Sequence, residues 1–338
     1  MANAATTSFS VTYNGKFVTD LFLKPQEGGQ DIFSIYRVMP NVVDKENIYI
    51  TGNLSKILKG KEGCGFSSTG SFELTDRQIQ TERIGADLEQ CWSAFEGEVF
   101  EESLKQGVQK GDIQGTWLET TIRAKIMDAL ASDIPRLQWF AKSGALSADY
   151  DPFDGWMQNF YDNSATMGQY AATSSISGAE SLGVLQTDGA LKILKSMYAN
   201  RTKTLRELPK SDQKIYTTQT MYDNLLETYE DTQSSAGLLR LIDGDGDETK
   251  IMFRGYEVIV VKGWDTQLAD TDNPHAATFG ANTTVWTTPK NLILATNVSD
   301  PKSQIEMWYE KKDEKVYTRI RYKQGAQILH PELASLLY

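Results

Sequence analysis

An acidic, glycine-rich stretch at Asp243–Asp247 offers the clearest pattern for metal chemistry in this sequence. Its alternating Asp and Gly residues are similar to the start of an EF-hand loop, whose carboxylates bind calcium. Such a loop requires glycine at its sixth position and glutamate at its twelfth, where this chain has Glu248 and Arg254. Because both positions fail, we interpret the stretch as an acidic turn between strands. A metal-dependent enzyme that uses this loop stays an alternative, although we predict no metal site and no cofactor.

A second glycine-rich stretch, residues 60–65, contains one lysine. A phosphate-binding loop requires its lysine after the last glycine, followed by Ser or Thr. Here Lys61 precedes Gly63 and Gly65, so we predict the tip of a polar loop and no nucleotide site. The lysines of this loop are instead candidates for contact with acidic surface on a neighbouring copy: Lys56, Lys59 and Lys61.

Acid–base chemistry has few candidates, because the chain contains only two histidines. Asp270 and Asp272 precede His275, and paired carboxylates can exchange protons with a substrate. With 45 acidic residues in the chain, chance proximity explains such pairs. The scarcity of histidine argues against Ser–His–Asp hydrolases and most zinc enzymes. We therefore predict no catalytic residue and no enzymatic activity, and we interpret Cys64 and Cys91 as reduced thiols.

Composition and charge limit the remaining classes of function. With 338 residues, 40% of them hydrophobic, the chain can bury a sizeable core. Its net charge of −11 makes it a poor general binder of nucleic acid, since phosphates are neutralised by Lys and Arg. A container for DNA remains compatible with this charge, because a weakly repelling wall lets its contents slide. Neither a signal peptide nor a membrane-spanning stretch is visible, so we expect synthesis in a cytoplasm and no membrane partner.

The clearest predicted element is a long helix that begins at Thr116, where Thr116 and Glu119 fit a capping box. Apolar residues then recur at steps of four and three, which indicates one buried stripe. The pattern extends from 116 to about 142, and we expect Pro135 to kink the helix or end its regular part. The stripe contains Leu118, Ile122, Ile126, Leu130, Ile134 and Leu137. The residues that we predict to anchor this helix in the core are Trp117, Ile122, Ile126 and Leu130.

Residues 47–85 read as a β-hairpin around a long polar loop. Ile48–Thr51 favours a strand, and the return over Ser71–Arg83 is strand-like but heavily charged. Such a pair of strands cannot bury both faces in its own subunit, so it is either solvated or lies on a partner. The charged residues that we expect to pair with neighbouring copies are Arg77, Glu82 and Arg83.

The second half of the chain alternates helices and strands, which indicates an α/β domain. We predict helices at Asp188–Asn200 and Thr220–Asp231, and strands at Lys214–Thr218 and Gly255–Val261. Further strands are predicted at Thr284–Thr288, Asn291–Thr296, Gln304–Glu310 and Lys315–Tyr322. The last of these alternates apolar and polar residues, as a half-buried strand does.

The order of these elements resembles the Hong-Kong-97-like major capsid fold of tailed bacteriophages. The passages that carry the resemblance are ELTDRQIQTERIGADLEQCWSAF, WLETTIRAKIMDALASDIPRLQWFAKSGA, FRGYEVIVVKGWD, and the closing segment from TTPKNLILATNVSD to GAQILHPELASLLY. They correspond to the returning strand of an extended loop, a spine helix, a strand of the axial domain and the characteristic end of such subunits. The resemblance implies an α+β fold with an N-terminal arm (1–46), an extended β-hairpin loop (47–85), a peripheral domain (86–146 and 290–323) and an α/β axial domain (147–289 and 324–338).

The same resemblance implies a function. Such subunits assemble into hexamers and pentamers of an icosahedral shell that encloses double-stranded DNA. The implied partners are other copies of the chain, a portal, scaffold or decoration proteins, and packaged DNA held without sequence specificity. The implied location is the virion capsid, assembled in the cytoplasm of a host bacterium. An encapsulin-like compartment, which holds an enzyme cargo in a shell of the same architecture, is the alternative.

Overall fold

The computed structural model describes residues 10–12, 35–51, 74–91, 129, 132–181, 183–231, 239–243, 249–297, 306–310 and 312–338. Its strands are β1 (Ser10–Thr12), β2 (Arg37–Met39), β3 (Lys45–Thr51), β4 (Leu74–Gln80), β5 (Glu82–Cys91), β6 (Tyr170–Ala171), β7 (Glu180–Ser181), β8 (Val184–Leu185), β9 (Lys214–Thr217), β10 (Leu239–Asp243), β11 (Thr249–Phe253), β12 (Tyr256–Val260), β13 (Thr284–Thr287), β14 (Leu292–Thr296), β15 (Glu306–Glu310), β16 (Lys315–Ile328) and β17 (Ser335–Leu337). Its helices are α1 (132–140), α2 (Trp156–Asp162), α3 (Gly189–Asn200), α4 (Lys203–Glu207), α5 (Gln219–Asp231) and α6 (Trp264–Ala269). Among the described helices, none combines the length and the apolar character that a membrane crossing requires.

The long strand β16 organises a six-stranded sheet. Along one edge it pairs antiparallel with β5, and along the other it pairs first with β15 and then with β14. Residues Val316, Thr318, Ile320 and Tyr322 are buried on one face, as their alternation predicts. We predicted that this strand ends at Tyr322, but it continues to Ile328. The extension is stabilised by β14, which pairs with its last residues.

A seven-stranded sheet, in the order β10-β11-β12-β9-β13-β17-β6, forms the second layer of strands. Its strands β9 and β12 are parallel, whereas β9 and β13 are antiparallel. Helices α3 and α5 bury their apolar stripes against it, with Leu194, Met197, Met221 and Leu225 all fully covered. The predicted helices and strands of this region are confirmed to within two residues at each end. The alternation of helix and strand was therefore enough to predict these individual elements.

Three tryptophans from three helices meet in a central core that borders both sheets. The ring of Trp139 in α1 lies 4.7 Å from that of Trp156 in α2 and 4.7 Å from that of Trp264 in α6, each edge to face. Trp156 also donates its indole N–H to the Ile293 carbonyl at 3.2 Å, so the polar edge of this buried ring is satisfied. These contacts fix α1 and α2 against the six-stranded sheet.

The predicted spine helix is described only in its last part. Residues 132–140 are helical, and Ile134 and Leu137 of the predicted stripe are buried. The helix continues through Pro135 to residue 140, so the proline does not end it. A proline cannot donate a main-chain hydrogen bond, and the burial of Leu137, Trp139 and Phe140 directly after it stabilises this part of the helix. The predicted anchors Trp117, Ile122, Ile126 and Leu130 lie outside the described residues.

The predicted hairpin is formed by β3 and β4, in a register that pairs Lys45 with Gln80 and Thr51 with Leu74. The prediction of one continuous return strand over Ser71–Arg83 was wrong. The strand β4 ends at Gln80, and β5 begins at Glu82 in the six-stranded sheet. The intervening Thr81 is buried, and its main-chain N–H donates to the Asp44 carbonyl at 2.8 Å.

Candidate intersubunit surface

The base of the hairpin is fixed to the end of β16 by hydrogen bonds between side chains and main chain. Arg77 donates from Nη1 to the Ile328 carbonyl at 3.0 Å, and Gln327 donates from Nε2 to the Gln78 carbonyl at 3.1 Å. Just before β3, the Val43 carbonyl accepts a hydrogen bond from the Lys323 ammonium. The direction in which the hairpin leaves the subunit is therefore set by β16.

A close backbone approach supports these bonds. A Cβ atom added to Gly325 in β16 would lie 1.9 Å from the Gln80 carbonyl oxygen, which no side chain can tolerate. Next to this crossing, Val42 and Ile79 of the hairpin segment pack on Ile293 and Ala295 of β14. The glycine thus lets the hairpin backbone reach the apolar surface of the sheet.

Beyond its base, the hairpin carries apolar side chains that its own subunit leaves uncovered. Tyr49 is 71% exposed and Leu74 is 65% exposed, and Val43 at the start of the hairpin is 59% exposed. Singly exposed apolar residues are ordinary on protein surfaces, but here they follow one projecting element. They make the hairpin a surface suited to a protein partner.

The charged residues that the sequence suggested for contacts with neighbours have different environments. Arg77 is half-buried and already bonded within its own chain, whereas Glu82 accepts a hydrogen bond from the Gln80 amide. Arg83 is exposed and has no ion pair with any residue that the structure describes. Their roles toward a neighbour stay predictions. Lys56, Lys59 and Lys61 lie outside the described residues.

The outer face of the six-stranded sheet is charged, and its acidic and basic side chains form ion pairs with one another. Asp87 of β5 accepts hydrogen bonds from Arg321 at 2.6 Å and Arg319 at 3.1 Å, and these guanidinium groups lower the pKa of its carboxyl. Likewise, Glu89 lies 3.1 Å from Lys315 and raises the pKa of that ammonium. Because all five side chains are exposed or half-exposed, the pairs stabilise the sheet little and leave a hydrophilic wall.

A polar cleft of about 250 Å³ lies between the hairpin base and the loop before α2. Its lining includes Gln80, Glu82, Asp154 and Gln327. Asp154 accepts a hydrogen bond from the main-chain N–H of Ser143 at 2.9 Å, so the cleft wall is held by its own contacts. Sequence reasoning missed this cleft, because its residues come from four separate segments.

The groups that suggested acid–base or metal chemistry have structural contacts instead. Asp270 accepts hydrogen bonds from the Tyr150 hydroxyl at 2.8 Å and from the Asp272 main-chain N–H, and these donors lower the pKa of its carboxyl. Burial lowers the pKa of His275 from 6.5 to about 4, so the ring is neutral at pH 7. Within the described residues, no group of three His, Cys, Asp or Glu side chains is arranged to hold a metal ion. Of the stretch Asp243–Asp247, only Asp243 is described, at the end of β10.

No family model and no curated protein sequence matches this chain, whereas its fold matches solved structures over nearly its full length. A chain of the satellite phage P4 procapsid, in a structure that includes the size determination (Sid) protein, matches with a TM-score of 0.59 and 12% identity, covering 98% of this chain and 93% of that chain. A chain from Gordonia phage Cozz matches with a TM-score of 0.54 and 12% identity, covering 92% and 89%. A chain from the capsid of Cyanophage P-SCSP1u matches with a TM-score of 0.51 and 13% identity, covering 100% and 92%.

These likenesses define the class of fold. The chain has the α+β Hong-Kong-97-like capsid fold, as the resemblance in its sequence predicted. At such low identity the agreement is one of architecture, and what the subunit does is a separate question.

Proposed function

We propose that this chain is the major capsid protein of a tailed bacteriophage, a structural subunit that assembles into the hexamers and pentamers of an icosahedral shell around double-stranded DNA. The observation that carries the proposal is the match to a procapsid chain over 98% of this chain and 93% of that one, at a TM-score of 0.59. A match of this extent includes the projecting hairpin as well as both sheets.

The division of the strands between the two sheets supports the domain ranges implied by the family, which stay a proposal. Every strand of the seven-stranded sheet falls within the axial ranges 147–289 and 324–338. The six-stranded sheet takes β14, β15 and most of β16 from 290–323, and β1 and β2 from the N-terminal arm (1–46), whereas β5 crosses from the loop range (47–85) into the peripheral range (86–146). The strand β16 runs five residues past 323, so the two proposed domains share one continuous strand.

In the shell, the hairpin of one copy lies on the next, which covers Tyr49 and Leu74. The lysines of its loop and Arg83 contact acidic surface there, and the anchors of the spine helix hold it in the core of its own subunit. A portal, scaffold or decoration proteins and DNA held without sequence specificity complete the set of partners. The subunit assembles in the cytoplasm of the host bacterium and ends in the virion.

The test is the mass and shape of the assembled protein, measured by sedimentation velocity and negative-stain electron microscopy with and without the products of neighbouring genes. We expect closed shells or capsomer rings. A double variant Tyr49→Ser/Leu74→Ser removes the uncovered apolar surface of the hairpin, and we expect it to remain folded but to assemble poorly. Val184→Ser is the matched control, since this residue is 66% exposed and lies on another element.

Two outcomes would contradict the proposal. A stable monomer under every condition excludes a shell subunit, and shells that enclose an enzyme cargo in place of nucleic acid indicate an encapsulin-like compartment. Equal assembly by the hairpin variant and the control would show that this surface is not an interface.

A further inference from the structure

Arg201, directly after α3, carries a buried charge without a carboxylate partner. Its side chain is 7% exposed, and no Asp or Glu among the described residues forms an ion pair with it. Its hydrogen bonds go to neutral oxygens, from Nε to the Tyr198 carbonyl at 3.1 Å and from Nη1 to the Tyr256 hydroxyl at 2.8 Å. Charged side chains are rarely buried without a counter-charge, so other groups must stabilise the charge of Arg201.

Aromatic rings hold this guanidinium in place. Its central carbon lies 3.9 Å from the ring centre of Tyr198, 4.8 Å from that of Trp286 and 5.3 Å from that of Tyr256. The negative faces of these rings attract a cation and replace part of its hydration. They orient Arg201, but they do not neutralise its charge.

Two further cations share the same rings. Arg254 places its guanidinium carbon 4.2 Å from the ring centre of Tyr198, and its Nε is buried with no hydrogen-bond partner in the described structure. Lys210 lies 5.5 Å from the ring centre of Tyr256 and donates to the Arg254 carbonyl at 3.2 Å. We call Arg201, Lys210 and Arg254 the basic cluster. Hydrogen bonding to Arg254, and to a lesser extent the charge of Arg201, lowers the pKa of the Tyr198 hydroxyl.

Two carboxylates close to the cluster in sequence are engaged elsewhere, and a third, Glu207, is exposed and forms no ion pair with the described residues, the cluster included. Glu257, next to Tyr256 in β12, binds Lys214 and lies 3.7 Å from Lys250. Asp212, two residues after Lys210, lies 3.1 Å from Lys290. The end of α3 favours nearby cations through its helix dipole, but a partial charge does not balance three full ones. An acidic protein thus holds a local excess of positive charge.

A complementary surface lies on α5. Asp223, Glu227 and Glu230 are exposed, and their spacing places them on one stripe of the helix, opposite the buried Met221 and Leu225. Asp223 accepts a hydrogen bond from the neutral Gln219 amide, and no described cation pairs with any of the three carboxylates. We call these residues the acidic stripe.

We propose that the basic cluster binds the acidic stripe of a neighbouring copy of this chain, an inference that rests on the proposed function. Arginine forks bind carboxylates through paired, charge-assisted hydrogen bonds, so the exposed acids of an identical subunit match the cluster chemically. Because the two surfaces are different patches of one chain, the contact is head-to-tail, and such a contact closes into a ring when the rotation between successive copies is a whole fraction of a turn. A compact cluster of three cations on a chain of net charge −11 fits this partner better than an extended polyanion such as DNA.

Charge reversal and its rescue test the contact. We expect Arg254→Glu and Glu227→Arg each to weaken self-association about tenfold or more at low salt, measured by sedimentation velocity over a concentration series. The double variant Arg254→Glu/Glu227→Arg, in which the charges are exchanged, should regain most of the wild-type association. Lys312→Glu, which makes the same charge change as Arg254→Glu at an exposed lysine elsewhere, should leave association unchanged. Lys210→Glu replaces Arg254→Glu if that variant has a lowered unfolding midpoint.

The outcomes separate the two proposals. If the wild-type protein never associates, both fail. If it forms shells or rings and the reversed variants assemble like Lys312→Glu, or the double variant is not rescued, only this contact is refuted. Loss of affinity for a short DNA duplex in Arg254→Glu, measured by fluorescence anisotropy while self-association stays at the wild-type level, would assign the cluster to nucleic acid instead.

Discussion

Replacing Gly325 by alanine should loosen the hairpin from the subunit. The added methyl group would lie 1.9 Å from the Gln80 carbonyl oxygen and 2.9 Å from its carbon. Both are main-chain atoms, so no rotation of a side chain relieves the clash. The backbone of Gln80 must retreat by more than about 1 Å, because a methyl group and an oxygen do not approach closer than roughly 3 Å.

The free-energy change follows from what this retreat disturbs. Overpacking at such a site destabilises by about 1–3 kcal/mol. The bonds from Arg77 to Ile328 and from Gln327 to Gln78 span the same crossing, and losing each costs about 1 kcal/mol. Against this, alanine restricts the unfolded chain and stabilises by about 0.4–1 kcal/mol. We expect a net loss of about 2–4.5 kcal/mol.

Urea unfolding of the unassembled subunit, followed by circular dichroism, measures the loss. Gly280→Ala is the matched control, because no atom lies within 4 Å of its added Cβ and its backbone is not in the left-handed region. We expect Gly280→Ala to unfold at the wild-type midpoint or slightly above it. Equal midpoints for the two variants would refute the claim that this close approach fixes the hairpin.

Further predictions concern the core, the hairpin link, the charged wall and pH. Ile134→Ala, at a residue 1% exposed in α1, should lower the free energy of unfolding by about 2–5 kcal/mol, and an unchanged urea midpoint would contradict its place in the core. Thr81→Val should lose about 1 kcal/mol with its hydroxyl bond to the Asp44 carbonyl, and no loss in the same assay would argue against the link. Asp87→Asn should leave the midpoint unchanged in high salt, because its ion pairs are exposed, and a clear drop there would show that they matter. Burial favours the neutral ring of His275 and lowers its pKa from 6.5 to about 4 in the folded state. The stability that depends on this neutral ring is therefore complete above pH 6.5 and is lost as the pH falls through about 4, a change of about 3 kcal/mol. The variant His275→Gln should remove this change from the pH profile of unfolding.

The local sequence pattern was sufficient to predict those segments that pack against a single surface of their own core. The alternation of Val316 to Tyr322 and the apolar stripes of α3 and α5 were visible in the sequence because each faces one side of a core. The break at Thr81 was not visible, since polar residues continue on both sides of it. At this break the backbone passes close to Gly325 in β16, a residue far away in sequence.

The basic cluster could not be predicted from a local sequence pattern either. Arg201, Lys210 and Arg254 lie on a helix end, a short turn and a hairpin, and no spacing rule connects them. Only the folding of three segments around Tyr198 and Tyr256 brings these cations together. Sequence reasoning predicted from its charges that the hairpin contacts a neighbour, and that stays a prediction, but it missed the apolar Tyr49 and Leu74 that the structure leaves uncovered.

The strand β5 also has a mechanical consequence. Thr81 joins the hairpin directly to β5, and β5 pairs with β16 through ten consecutive residues, from Glu82 opposite Gln324 to Cys91 opposite Lys315. The hydrogen bonds of an antiparallel pair lie across the strands, so a pull along the hairpin loads these pairs in shear, all at once, and not one after another as in peeling. Tension on the hairpin is therefore carried into the long strand that organises the six-stranded sheet. The link that sets the direction of the hairpin also resists its being pulled away from the subunit.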